Sequence, residues 1–261
     1  MYKEYSRFYD DVYEGKRLDE LAGLWRDDRD FWLNQAKEAG SPILEIACGS
    51  GRLTIPIAEL GLIVHGIDNS QEMLALLKEK VARMEVNPEN LTYELSSMSG
   101  DDEYPSGFNL AFVSTSALQY LHIAEDQEKA FAKAYGSLKS GGKFITDVFN
   151  PNPEFITGWG EKILMKQSQS LSDPDTEIDW YCVPISYDGQ TKILNMPNLF
   201  VFRRQDEQTE LSMDVGYYCY SESELKELFL KSDFKDIKVF GGYNKEDFTQ
   251  ISSRIIMMGT K

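Results

Sequence analysis

The sequence predicts an α/β chain built on a doubly wound, mostly parallel sheet, and three observations lead there. From residue 42 to residue 149, apolar runs of strand length alternate with segments of helical periodicity, the pattern of a parallel sheet with helices on its faces. A glycine-rich turn, Cys48-Gly49-Ser50-Gly51, joins the first run to the first helix. The second run, residues 62–68, ends on the acidic residue Asp68. Such a unit brings backbone N–H groups and a helix N-terminus to the carboxyl end of a strand, where an open α/β sheet binds its ligand.

Taken in order, residues 1–40 carry aromatic and aliphatic positions at helical spacing from Leu18 onward and read as one or two helices, an N-terminal helical lid. A strand over 42–47, a helix over 51–60, a strand over 62–67, a helix over 70–84 and a short strand over 91–95 follow. After a loop come a strand over 109–115, a helix over 125–138 ending at the turn signal Ser140-Gly141-Gly142, and a strand over 143–149 that Asn150-Pro151-Asn152-Pro153 breaks. From 155 to 220 the pattern turns β-rich, with polar turns such as Asp188-Gly189, and reads as an antiparallel insertion. Ser221 with Glu224 three residues on starts another helix, and two strands follow. The α/β domain therefore comprises 41–154 and 221–261. At 261 residues the chain is long enough for one large domain of this kind with an insertion.

Two cofactor classes compete for the glycine turn, the dinucleotides and S-adenosylmethionine. A dinucleotide fingerprint asks for a third glycine three residues after Gly51, where this chain has Thr54. Glu45, four residues ahead of Gly49, is poorly placed beside two phosphates, whereas S-adenosylmethionine carries an ammonium and a sulfonium. Asp68 is suited to accept hydrogen bonds from both ribose hydroxyls of an adenosine.

The run Glu45-Ile46-Ala47-Cys48-Gly49-Ser50-Gly51 resembles the first motif of the class I S-adenosylmethionine-dependent methyltransferases, E/D-x-A/G-C/x-G-x-G. The resemblance covers residues 40–150. It implies a Rossmann-like, seven-stranded sheet closed by an antiparallel hairpin, with the methionine moiety over Glu45, Ala47, Gly49 and Gly51, and the ribose held by Asp68 with Asn69 and Met73 nearby. Many relatives carry Gly-Asp-Met after the third strand to grip the adenine; here Ser96-Ser97-Met98 stands there, leaving Ser97 and Met98 for that contact. The family places cofactor and acceptor contacts on the loop from Ser114 to Tyr120, where Gln119 and Tyr120 face the substrate. Tyr9-Asp10-Asp11-Val12-Tyr13 resembles a lid segment of small-molecule N- and O-methyltransferases. It implies a Tyr13 hydroxyl near the reacting centre and an Arg17, one helical turn later, paired with the cofactor carboxylate. The plainer reading is an amphipathic helix whose tyrosines pack on the sheet.

Methyl transfer asks the protein to align acceptor, methyl and sulfur and to exclude water; a general base helps where the acceptor must lose a proton. Tyr13 and Tyr120 are the catalytic candidates. His122 reads as a surface histidine and His65 as structural; Cys48 reads as a small packing residue rather than a reactive thiol. Asp147 and Asn150 flank the end of the strand over 143–149 and are placed to reach the acceptor, although an Asn before Pro also makes turns. The aromatics of the insertion, among them Trp180, Tyr181, Phe200 and Tyr217, suit a pocket wall, core packing or a dimer interface.

Composition limits the partners. Forty-three acidic residues against 27 basic ones, a formal charge of −16, argue against a nucleic-acid backbone as partner. Three cysteines without C-x-x-C spacing and only two histidines give no support to a disulfide framework or a metal centre. The N-terminal segment lacks the apolar core of a signal peptide and no run is long enough to span a membrane, so a cytoplasmic protein, monomer or homodimer, is expected. The reading is methyl transfer from S-adenosylmethionine to an oxygen or nitrogen of a small molecule. The alternatives are a protein or RNA acceptor, a nucleotide-dependent oxidoreductase, which Thr54 disfavours, and a non-catalytic S-adenosylmethionine-binding protein.

Overall fold

The structure, a computed structural model, describes residues 2–14, 16–17, 28–84, 87, 89–151 and 160–261. The chain divides into two compact units: Met1–Asp27 with Pro151–Tyr218, and Asp28–Asn150 with Cys219–Lys261. The helical spacing read over residues 18–27 lies outside the described residues.

The first elements are α1 (Tyr2–Glu14) and the two-residue strand β1 (Lys16–Arg17). The second unit then runs α2 (Arg29–Ala39), β2 (Ile43–Ile46), α3 (Thr54–Glu59), β3 (Val64–Asp68), α4 (Gln71–Arg83), β4 (Leu91–Leu95), β5 (Phe108–Val113), α5 (Ala124–Ser137) and β6 (Leu138–Phe149). After the inserted strands it resumes with α6 (Glu222–Lys231), β14 (Lys235–Phe240) and β15 (Arg254–Thr260). Its seven strands lie in the order β14-β15-β6-β5-β2-β3-β4. All neighbours are parallel except β15, which pairs antiparallel with both β14 and β6. The chain winds outward from β2 through β3 to β4, then returns to place β5 on the other side of β2. The β2/β5 boundary is thus the topological switch point, the place in such a sheet where a crevice opens at the strand ends.

Why these residues make these elements is legible locally. The four residues of β2 are all buried, as a strand covered on both faces requires. Ser70 caps α4 by accepting the Met73 N–H at 3.3 Å. Ser221 and Glu224 form the reciprocal capping box at the start of α6. On one side of the sheet Trp32 of α2 stacks on Phe112 of β5 at 4.9 Å. Phe131, Phe144, Phe229 and Phe234 form an aromatic cluster between α5, α6 and β6, with ring centroids 5.1 to 5.6 Å apart. Ser140-Gly141-Gly142 does not separate helix from strand: α5 ends at Ser137, and the glycines lie within β6 where its register with β5 shifts. A Cβ on Gly142 would come within 2.9 Å of the carbonyl oxygens of Lys139 and Phe108, so only glycine allows that close passage.

The first unit is antiparallel. Strands β7 (Ile163–Gln169), β8 (Thr176–Cys182), β11 (Asn198–Arg204) and β12 (Glu207–Met213) join β1 in a sheet of order β1-β7-β8-β11-β12. β9 (Ser186–Asp188), β10 (Ile193–Asn195) and β13 (Gly216–Tyr218) form a second sheet. The Asp188 carboxylate accepts from the Gln190 N–H at 2.8 Å and the Thr191 hydroxyl at 2.9 Å, which builds the turn expected there. The α1 helix is fastened to this unit. Lys166 donates its ammonium to the carbonyls of Val12 and Tyr13, at 2.9 and 3.1 Å, satisfying the helix's C-terminal acceptors. Asp11 accepts from the Leu171 N–H at 2.7 Å and the Ser172 hydroxyl at 3.1 Å. Arg17 does not lie one helical turn beyond Tyr13: α1 ends at Glu14, and Arg17 sits in β1, paired with Ser168. No helix among the described residues is long and apolar enough to cross a membrane.

Candidate functional site

The turn after β2 is held in an unusual backbone path. Ala47, Gly49 and Gly51 all have positive φ, at 61°, 55° and 84°. For alanine this left-handed conformation costs about 1–2 kcal/mol. The Gly51 N–H closes the turn on the Cys48 carbonyl at 3.0 Å, and a Cβ on Gly51 would meet Leu77 at 2.3 Å. Cys48 is buried against β3, where a Cβ on Gly66 would lie 2.8 Å from its sulfur, and burial pushes its thiol pKa well above the ordinary value. Its role is packing, as the sequence suggested.

At the end of β3, Asp68 accepts from the Gly49 N–H through one oxygen and from the Ser70 N–H through the other, both at 2.8 Å. These bonds bring the two sequence signals together, because the acidic residue is oriented by the glycine turn itself. Burial raises the pKa of Asp68, opposed by the amides of Ser70, Gly49 and Asn69. A carboxylate offers about four acceptor positions. Two are filled by Gly49 and Ser70, and the remainder suit the paired hydroxyls of a ribose.

Glu45 is fully buried and accepts from the hydroxyl of Thr54. The residue that replaces the third glycine of a dinucleotide fingerprint is therefore the partner of the acidic residue that opens the motif. Burial pushes the Glu45 carboxyl up to about 8, against the Thr54 bond and the Arg52 charge, which favour ionisation. A carboxyl in that state is readily ionised by a cationic group brought beside it.

On the far side of the switch point, β5 runs into Ser114, which is buried, and then into Thr115 and Ser116, with φ of 57° and 60°. Tyr120 follows, half-buried, in a short 3₁₀ turn. Gln119 does not face a substrate: it is fully buried, and its amide both donates to the Phe149 carbonyl at 3.1 Å and accepts the Phe149 N–H at 2.7 Å. Asp147 is likewise withdrawn, completely buried in an ion pair with Arg254 and accepting the Tyr243 hydroxyl at 2.8 Å. The Asn150 side chain donates to the Ser252 carbonyl at 2.7 Å, tying the end of β6 to the segment before β15.

After β4, Ser97 and Met98 are half-buried in a loop that Lys133 organises, its ammonium donating to the Ser97 carbonyl at 2.7 Å and lying 4.2 Å from the ring centre of Tyr104. Asn69 is exposed beside Asp68, while Met73 is buried in α4. Tyr13 belongs to the other unit, where its ring packs 4.5 Å from Tyr9 and 5.4 Å from Trp180. His122 is exposed, and His65 bonds Thr92 at 2.8 Å.

The charged groups nearest the switch point are not among the residues the sequence singles out. Arg52, directly after Gly51, makes a bidentate pair with buried Asp28, at 2.6 and 2.7 Å, and also donates to Thr115 at 3.0 Å. Burial would raise the Asp28 pKa, but the Arg52 guanidinium beside it, Arg254 and the Trp32 N–H together hold it below the ordinary value. The available signal was an arginine at the mouth of an otherwise apolar helix.

A family model for a methyltransferase domain matches residues 43–142, the segment from β2 into β6 that carries the glycine turn, Asp68 and the switch point. The matched segment is a methyltransferase domain, and the family model, the relatives and the solved structures together support a class I S-adenosylmethionine-dependent methyltransferase. This methyltransferase is 22% identical to a putative methyltransferase of Geobacillus sp. strain WCH70, over 100% of this chain and 99% of the relative. It is 26% identical to the putative methyltransferase YqeM of Bacillus subtilis strain 168, over 57% of this chain and only 55% of that relative. The fold is that of CalS10 from Micromonospora echinaspora, an amino pentose methyltransferase solved with S-adenosylmethionine bound. That likeness has a TM-score of 0.70 at 15% identity and covers 100% of this chain and 97% of the other. The cofactor is S-adenosylmethionine, and the donor set fits it: a carboxylate with spare acceptor capacity at Asp68 and a buried, ionisable Glu45 ahead of the turn.

Proposed function

We propose that this methyltransferase transfers the methyl group to an oxygen or nitrogen of a small molecule by in-line displacement. S-adenosylmethionine supplies an electrophilic methyl carbon on a sulfonium; the acceptor's lone pair forms the new bond, the C–S electron pair stays with sulfur, and any acceptor proton passes to a base or to water. The observation that supports the proposal is the Gly49–Asp68 bond at the carboxyl ends of β2 and β3, where the carboxylate would take a ribose beside a turn that would lie under the methionine moiety. In this reading Asp68 and Asn69 hold the ribose side, with Met73 beneath. Glu45, Ala47, Gly49 and Gly51 form the bed for the methionine moiety, and Ser97, Met98 and Ser114 supply the flanking contacts. Arg17 would pair with the cofactor carboxylate, and Tyr13 and Tyr120 are the two hydroxyls put forward for the reacting centre.

A small acceptor is supported by the likeness to an amino pentose methyltransferase and by the formal charge of −16, which offers no electrostatic attraction to a polyanion. The test is formation of S-adenosylhomocysteine with three acceptor sets in parallel: amino sugars and hydroxylated small molecules, unmodified RNA, and a protein extract. Turnover confined to the first set supports the proposal. Turnover confined to RNA or protein replaces its acceptor, and cofactor binding with no turnover in any set favours the non-catalytic reading.

A further inference from the structure

Two arginines, Arg254 buried and Arg52 half-buried, converge on one turn. After β5 the backbone places Thr115 and Ser116 in succession in the left-handed region, with φ of 57° and 60°. For a β-branched threonine that conformation is an outlier, which persists only where its surroundings over-determine it. The surroundings do so on both sides. Thr115 accepts a hydrogen bond from Arg52 at 3.0 Å, and Arg52 is itself fixed by its bidentate pair with Asp28. Ser116 accepts one from Arg254 at 3.4 Å, and Arg254 is paired with Asp147, which in turn accepts the Tyr243 hydroxyl. The Ser116 hydroxyl also accepts the Phe149 N–H at 3.1 Å. Asp28, Asp147 and Arg254 are all nearly or fully buried, so neither pair is a solvated surface contact.

The partners come from distant parts of one unit: Asp28 precedes α2, Arg52 follows the glycine turn, Asp147 lies two residues before the end of β6, and Arg254 opens β15. Their common target is the loop on the β5 side of the switch point. Arg52 therefore ties the two walls of that crevice together, since it leaves the glycine turn on the β2 side and ends on Thr115.

We propose that Arg52 and Arg254 are positioning residues for methyl transfer: two aspartate-anchored guanidinium groups that clamp the Thr115–Ser116 turn and so fix the crevice wall against which the cofactor binds. The inference rests on the cofactor reading given above. Arg52 acts through Thr115 and Arg254 through Ser116, and neither needs to touch the reacting atoms. Lysine cannot replace Arg52, because a single ammonium cannot make the forked bond to Asp28 and reach Thr115 at once.

The test compares wild type, Arg52→Lys, Thr115→Val, Thr115→Ser and the double variant Arg52→Lys/Thr115→Val by titration with S-adenosylhomocysteine, alongside amide hydrogen exchange over residues 114–120. Thr115→Val removes the hydroxyl without leaving a buried aspartate unpaired, so it remains informative where Arg52→Lys fails to fold. The clamp predicts that Thr115→Val weakens binding about tenfold and speeds exchange in 114–120. It also predicts that Thr115→Ser recovers most of the affinity and that the double variant is no weaker than Arg52→Lys alone. Unchanged affinity and exchange in Thr115→Val, or strictly additive losses in the double variant, would overturn the clamp. A wild-type protein that binds no S-adenosylhomocysteine would instead sink the cofactor reading on which it rests.

Discussion

At the scale of single residues, two carboxyl groups with different environments carry most of the chemistry assigned to the cofactor. Asp68 is kept available by two backbone donors, each at 2.8 Å. Asp68→Ala should weaken binding of S-adenosylhomocysteine by about 1–3 kcal/mol, the cost of losing charged hydrogen bonds to the ribose; titration calorimetry reads it directly, and unchanged affinity would remove Asp68 from the site. Glu45 is buried with the Thr54 hydroxyl as a partner, and burial pushes its carboxyl up to about 8 from an ordinary value of 4.5. Between those values the folded chain binds the extra proton and the unfolded chain does not. The contribution of this group to stability is therefore complete below the unfolded value and falls as pH rises toward 8, by roughly 1.4 kcal/mol for each pH unit. Glu45→Gln, which carries no charge, should flatten that part of the stability profile in denaturant titrations between pH 5 and 8. A variant whose profile keeps the wild-type slope would show that another group is responsible.

At the scale of elements, the turn between β2 and α3 is tightly constrained. Gly51 combines a φ of 84° with a side-chain path blocked by Leu77 and Ile55. Gly51→Ala should cost about 2–4 kcal/mol, from left-handed strain together with overpacking, and thermal or chemical unfolding would register it. A loss below 1 kcal/mol would mean that the turn relaxes freely.

The strands and this turn were legible in the sequence because their signals are local. Parallel strands buried on both faces read as apolar runs, and Glu45 to Gly51 lie within seven consecutive residues. The first unit's β-rich character was equally plain, while Arg17 was misplaced because a helix period was continued past Glu14, into residues that pair with β7. The clamp was hidden for the converse reason. Arg52 finds Asp28 across 24 positions and Arg254 finds Asp147 across 107. No local pattern distinguishes such arginines from the solvated ones on a helix face. Gln119 and Asp147 were read as substrate-facing from their place at strand ends, yet both are turned inward to satisfy other buried polar groups.

At the scale of the whole molecule, a chain that binds its cofactor only when folded is stabilised by that cofactor. At a ligand concentration of one hundred times Kd the gain is about 2.7 kcal/mol, which for a chain of this size corresponds to a rise in Tm of roughly 5–10 °C. S-adenosylhomocysteine should produce that rise, and NAD should produce none, because the third glycine position is occupied by Thr54 in a bond with Glu45. The measurement that bears most directly on the account is calorimetric titration of the wild-type protein with S-adenosylmethionine and S-adenosylhomocysteine, with NAD as the control. Saturable binding of the first two at a one-to-one ratio, without binding of NAD, is the result predicted. Binding of NAD, or binding of neither S-adenosyl compound, would contradict the assignment of the Gly49–Asp68 site.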